Sequence, residues 1–206
     1  MVSLQPVRFD LDRCRIELAE FKSFLDENNE LDEKSILRFF RRRLQLTASV
    51  GAINPESRTI DRYAFEYPLF GNFACDLVVG DSAKPSYCFV EFEDARSNSI
   101  FVKRRRDVPE WASRFERGYS QIIDWFWKLD DMSRTGDFEH RFGDRSVDYT
   151  ALLVIGRRGH LSVRERERLK WRQSYVIVNS KFVSCFTLDD LYDALDSRIN
   201  RLARLS

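Results

Sequence analysis

Apolar residues recur about a turn apart in "DRCRIELAEFKSFLDENN", where Ile16, Ala19 and Phe24 mark the repeat and predict a first helix. After the polar break at Asn28 and Asn29, "DEKSILRFFRRRLQL" predicts a second, with Ile36, Leu37, Phe40 and Leu44 on its inner face. From Tyr63 the texture becomes that of strands: "AFEYPLF", "FACDLVVG" and "SYCFVEFED" are short β-rich runs separated by Gly, Asp, Ser and Pro. "EWASRFERGYSQIIDWFWKLDD" reads as a long amphipathic helix and "RTGDFEHRFGDRS" as a surface loop. "DYTALLVIG" is apolar nearly throughout, as a central strand covered on both faces must be. Ser162 and Glu165 have capping-box spacing ahead of the charged helix "VRERERLKWRQS". "YVIVNSKFVSCF" predicts another strand, and a last helix follows with Thr187 as N-cap. Helices first, then a meander of strands, then βαβα: the order predicts one α/β domain with helices packed on a central sheet.

Composition narrows this picture. A chain of 206 residues with 17 Phe suits a single packed core. No run is long enough and apolar enough to cross a bilayer, and the N-terminus lacks the apolar block of a signal peptide, so a cytoplasmic protein is expected. Cys14, Cys75, Cys88 and Cys185 lie far apart without a CxxC pair, which fits reduced thiols better than a zinc site or disulfides. With two histidines, His140 and His160, histidine-centred metal hydrolysis has little to work with.

The chemistry lies in "YCFVEFEDA", Tyr87 to Ala95. Side chains alternate across a strand, so Glu91 and Glu93 emerge on one face. If the preceding strand pairs through "GDSAKPS", Asp76 lies beside Glu91 and three carboxylates share a small volume. Two unit charges about 5 Å apart repel by roughly 3 kcal/mol at an effective dielectric near 20. Three such pairs approach the whole stability of a domain, about 5–15 kcal/mol. The cluster therefore needs a proton, a basic partner or a cation. A hard divalent ion, Mg²⁺ above all with Mn²⁺ as substitute, fits oxygen ligands of this kind; solvation, or pairing with one of the many arginines, is the alternative.

Basic residues collect in two places. Residues 96–117 hold seven basic and three acidic side chains, +4 in all; residues 157–172 hold seven and two, +5 in all. Such concentrations suit a phosphate backbone. Lys103, Arg104, Arg105 and Arg106 follow the carboxylates and are the preferred DNA contact, with Arg157 and Arg158 at the end of the apolar strand next. The alternating signs of "RERERLK" read as a solvated helix face, as does Arg41–Arg43. Trp111, Trp125, Phe126 and Trp127 lie at helical spacing beside Ile122 and Ile123 and are expected mostly in the core.

"FACDLVVG … CFVEFEDARSNSIF … EWASRFERGYSQIIDWFWKLDD … ALLVIGRRGHLSVRERERL … FTLDDLYDAL" resembles the nuclease domain of the Shedu anti-phage defence proteins, within the PD-(D/E)xK superfamily. The resemblance runs from about Asp76 to Ala194. It implies a restriction-endonuclease-like α/β fold: a mixed central sheet flanked by helices, with residues 1–60 as an N-terminal helical part and 61–206 as the nuclease core of one unit. It implies Mg²⁺-dependent DNA hydrolysis in defence, without an organic cofactor or a membrane, by nuclease domains that associate as homo-oligomers. Asp76 and Glu91 match the metal-binding acids, Glu93 stands where lysine is usual, and Gln121 matches a glutamine near the active site of many relatives. Two departures are visible: "ACD" has no proline before the aspartate, and "EFE" replaces ExK. A glutamate supplies no positive charge; Glu93 accepting a proton from water or holding that water against the metal, a basic residue from elsewhere such as Lys103, and a degenerate DNA-binding or sensing module are the readings left open.

Overall fold

A computed structural model describes residues 2–57, 59–71, 73–103 and 108–204. After a short strand β1 (Gln5–Pro6) come helices α1 (Leu11–Glu27), α2 (Glu33–Arg41) and α3 (Leu44–Val50). Asp10 and Asp32 cap the first two by accepting from the amides of Arg13 and Ser35. The helical period expected in α1 is present in a different phase. Cys14, Leu18, Phe21 and Leu25 face inward, whereas Ile16 is 52% exposed. The single second helix expected from the sequence is two, because Arg43 leaves helical geometry (φ −130°, ψ 74°) and bonds Glu20 at 2.7 Å.

Strands β2 (Arg62–Pro68), β3 (Ala74–Asp81) and β4 (Ser86–Phe92) form an antiparallel meander. A small hairpin, β5 (Phe101–Val102) with β6 (Glu110–Trp111), leads into the long helix α4 (Ser113–Met132). Helix α5 (Gly136–Phe142), strand β7 (Asp148–Val154), helix α6 (Val163–Tyr175), strands β8 (Ile177–Val178) and β9 (Lys181–Phe186) and helix α7 (Leu188–Ala203) complete the described chain. The seven-stranded sheet has the order β1-β2-β3-β4-β7-β9-β8, with β4, β7 and β9 parallel. This is the mixed sheet flanked by helices that the sequence predicts.

Alternation along the strands splits the interior into two layers. Phe89, Tyr149, Leu153 and Val183 point to one face and meet Phe115, Ile122, Trp125 and Phe126 of α4 and Leu169 of α6. Leu77, Val79, Val90, Phe92, Leu152 and Val154 point to the other, under α1, α2, α3 and α7. The N-terminal helices thus share a core with the sheet. Trp125 and Phe126 are buried as expected, whereas Trp127 is exposed. Both expected caps exist: Ser162 and Glu165 form a capping box, and so do Thr187 and Asp190.

Two segments depart from expectation. "RTGDFEHRFGDRS" is not a surface loop: Thr135 caps α5, Gly143 ends it at φ 86°, and Phe138 and Phe142, one turn apart, plug the core. "YVIVNSKFVSCF" is a hairpin rather than one strand, because Asn179 (φ 49°) and Ser180 (φ 59°) take the left-handed pair of a tight turn. Among the described residues no helix is long and apolar enough to cross a membrane.

Candidate active site

The register Leu77↔Val90 between β3 and β4, carried one step further, sets Asp76 opposite Glu91 at the end of the sheet where the parallel strands finish. An Asp76 carboxylate oxygen accepts from the Phe92 amide at 2.8 Å, which fixes the aspartate against β4. Glu66 on β2 falls opposite Asp76 in the same way, between the pairs Phe65↔Leu77 and Tyr67↔Cys75. It has a left-handed backbone (φ 50°) and an exposed side chain paired with Arg41 at 3.0 Å. Such strain in a strand re-aims a side chain.

Glu91 and Glu93 are buried, at 8% and 5% exposure. Burial pushes the Glu91 carboxyl up to about 9, reinforced by Asp76 and Glu93 and opposed by a hydrogen bond from Gln121. Burial also lifts Asp76 to about 6; the Phe92 amide opposes this, while Glu33, Glu93 and Glu66 add to it. Because both carboxyls ionise at higher pH in the folded chain than in the unfolded one, the folded state binds more protons between those limits. Stability without metal therefore falls as pH rises, from about 4 up to about 6 for Asp76 and from about 4.5 up to about 9 for Glu91. Urea midpoints should decline from pH 5 to pH 9, and Glu91→Gln should flatten most of that slope; an unchanged slope would contradict the arrangement.

Helix α4 supplies the other wall. Arg114, Gly118 and Gln121 are four and three residues apart, on one helical face. The Arg114 Nη1 donates to Glu93 Oε2 at 2.7 Å, and its Nε lies 3.2 Å from Asp94 Oδ2. Glu33, at the start of α2, stands 3.8 Å from the same guanidinium. Burial raises the Glu93 carboxyl, and Arg114 works against that rise. Gly118 lets the helix approach: a Cβ there would lie 2.8 Å from Leu153 Cδ1 and 3.4 Å from Glu93 Cγ. Gly118→Val should lower stability by about 1–3 kcal/mol through overpacking, seen as a lower melting temperature by circular dichroism.

Asp76, Glu91, Glu93 and Gln121 are therefore gathered in one place. Among the described residues no three His, Cys, Asp or Glu side chains form a ready metal cage, and Glu93 is engaged by Arg114. The two remaining carboxylates, whose crowding a cation would relieve, are a donor set of the kind hard divalent ions use together with water and phosphate.

The basic residues are not gathered in the same way. Arg104, Arg105 and Arg106 lie outside the described residues. Lys103 is exposed and lines a cleft of about 210 Å³ with Val108, Pro109, Arg164 and Arg168; the cation that bonds Glu93 is Arg114. Arg157 is turned inward, binding Asp189 through Nε and Nη2 at 3.1 Å each and donating to the Leu25 carbonyl at 2.9 Å. Arg158 pairs with Asp190 and Asp193. Both arginines expected to contact phosphate are engaged in these pairings: Arg157 locks helix ends together and Arg158 faces acids of α7. Glu33 and Arg114 were missed. Arg114 was within reach, seven residues before Gln121 on the same stripe, but Glu33 is sixty residues from the strand it faces.

A mixed sheet with acids converging at the end of its central parallel strand, under a helix bearing glutamine, defines an α/β protein of restriction-endonuclease-like fold. The family described as Shedu protein SduA, C-terminal, matches residues 30–192, and the chain belongs to that family. Membership makes this an anti-phage defence protein. No curated protein matches the chain.

Proposed function

We propose that this protein is a Mg²⁺-dependent deoxyribonuclease that hydrolyses phosphodiester bonds of invading DNA. The observation that carries the reading is the Asp76–Glu91 pair, two partly desolvated carboxylates facing each other across β3 and β4 with their ionisation pushed up. Asp76 and Glu91 would hold the cation, with Mn²⁺ as a working substitute. Bound there, a divalent ion supplies positive charge to a phosphate under attack and makes water a better nucleophile. Glu93, held by Arg114, takes a proton from the attacking water, and Gln121 steadies Glu91. The water oxygen bonds to phosphorus as the bond to the leaving sugar oxygen breaks, and that oxygen takes its proton from solvent. Exposed Lys103 and Arg164, which line one cleft, would supply charge for the DNA backbone.

The deciding experiment incubates the purified protein with plasmid DNA in Mg²⁺, Mn²⁺ or EDTA. Cleavage in either metal and none in EDTA supports the reading. One observation favours a second reading, a DNA-binding module without turnover: the expected lysine is a glutamate, and that glutamate is ion-paired. Salt-sensitive binding with no cleavage in any divalent metal would decide for it. Self-association, which we also propose, is read from the mass in solution.

A further inference from the structure

Asp76, Glu91, Glu93, Asp94 and Glu33 bring five carboxyl groups to one end of the sheet, and the guanidinium of Arg114 ion-pairs with three of them. We propose that Arg114 is the built-in cation of this centre, a positioning residue that fixes Glu93 and lends the positive charge a phosphodiester under attack requires. The proposal rests on the nuclease reading of the same site.

Helix physics argues that Arg114 is placed for the site. It is the second residue of a 20-residue helix, in the first turn, where the macrodipole disfavours a cation. What offsets that penalty is the set of carboxylates: Glu93 at 2.7 Å, Asp94 at 3.2 Å and Glu33 at 3.8 Å. Gly118, one turn later, allows the close approach that brings both Arg114 and Gln121 to the strand. Arg117, exposed on the same helix, also favours the charged form of Glu93, yet the ion pair to that carboxylate comes from Arg114. Arg41 pairs with Glu66, Arg96 is 58% exposed beside Asp94, and Lys103 belongs to a different cleft.

The shape of the group suits the task. These ion pairs use Nε and Nη1, the side chain is 36% exposed, and a guanidinium presents five donors in a rigid fork. Among the described residues Nη2 makes no hydrogen bond to a side chain, so it can take a phosphate oxygen arriving from solvent in the forked geometry that arginine prefers. The same charge that attracts phosphate repels a divalent ion from the neighbouring carboxylates. Arg114 therefore weakens metal binding while assisting turnover, and those opposite signs separate its role from a structural one.

The test compares wild type, Arg114→Gln and Arg114→Lys as full-length proteins, reading plasmid cleavage and Mn²⁺ affinity by electron paramagnetic resonance. Arg114→Gln should lose about a hundredfold in kcat with KM for DNA changed less than about threefold. Its Mn²⁺ affinity should rise about tenfold as a nearby positive charge disappears. Arg114→Lys, which keeps the charge without the fork, should recover to within about tenfold of wild-type kcat and bind Mn²⁺ as wild type does. Arg114→Gln that cuts at the wild-type rate overturns the inference and leaves the nuclease reading standing. So does Mn²⁺ affinity that falls in step with kcat, the pattern of a loosened fold. A wild type that holds Mn²⁺ but cuts nothing overturns the nuclease reading and, with it, the charge that Arg114 is proposed to lend to a phosphodiester. A wild type that holds no Mn²⁺ overturns both.

Discussion

Asp76→Asn and Glu91→Gln are each expected to abolish the proposed DNA cleavage, lowering it about a thousandfold or more, while the fold becomes no less stable. Both substitutions keep shape and remove charge. The Asn carbonyl can still accept the Phe92 amide that Asp76 now binds at 2.8 Å, so β3 and β4 stay in register. What is lost is the anionic oxygen that a divalent cation needs, together with the electrostatic stabilisation that dominates phosphoryl chemistry. What is gained is relief of repulsion, since Asp76, Glu93 and Glu33 raise the ionisation cost of Glu91, and Glu33, Glu93 and Glu66 raise that of Asp76. Activity and stability should therefore move apart, as expected where a site is strained for function. A plasmid-nicking assay and a thermal melt on the same preparations read both quantities. Undiminished cutting in both variants would remove these residues from the chemistry, and a collapse of the melting temperature would make them structural.

Arg157→Ala has the second large effect, on stability. The guanidinium is 13% exposed and bonds both oxygens of Asp189 and the Leu25 and Asn28 carbonyls at the end of α1. Removing it strands a carboxylate and two carbonyls at once, at a cost of about 3 kcal/mol. For a domain of this size that is about 6–12 °C in melting temperature. Burial raises the Asp189 carboxyl, but Arg157 and the Arg158 amide outweigh it and hold it below the usual aspartate range. That contribution to stability is present above the unfolded aspartate pKa, near 4, and is lost as pH falls below it. The deficit of the variant should accordingly be full at pH 7 and shrink toward pH 3. DNA affinity should change little; a steep loss of salt-sensitive binding with unchanged melting would return Arg157 to the phosphate-contact role.

The same arginine marks how far local pattern reaches. Arg157 and Arg158 end an apolar strand, and nothing within ten residues discloses that Asp189, Asp190 and Asp193 wait on α7. Ile16 carries the apolar signal of α1 as well as Leu18 does, yet it faces water, because the packing of α1 on α3 and α7 selects the phase. In "RTGDFEHRFGDRS" the charges outnumber the two phenylalanines, and the pair becomes decisive once Phe89 and Tyr87 of β4 offer rings to meet them.

By itself the sequence determined the elements and the conditions for a site. Period-two and period-3.6 patterns mark most of the strands and helices, α5 and the break between α2 and α3 excepted; Ser162 and Thr187 fix where two helices begin; strict alternation puts Glu91 and Glu93 on one face. All of these act over a few residues, within reach of backbone geometry. Only the tertiary structure decided what those carboxylates meet. It realised the Asp76–Glu91 pairing that the turn spacing allowed, lowered α4 onto Glu93 through Gly118, and brought Arg114 and Glu33 to the same end of the sheet. Burial and charge proximity are properties of assembled surfaces, and no spacing along the chain encodes them.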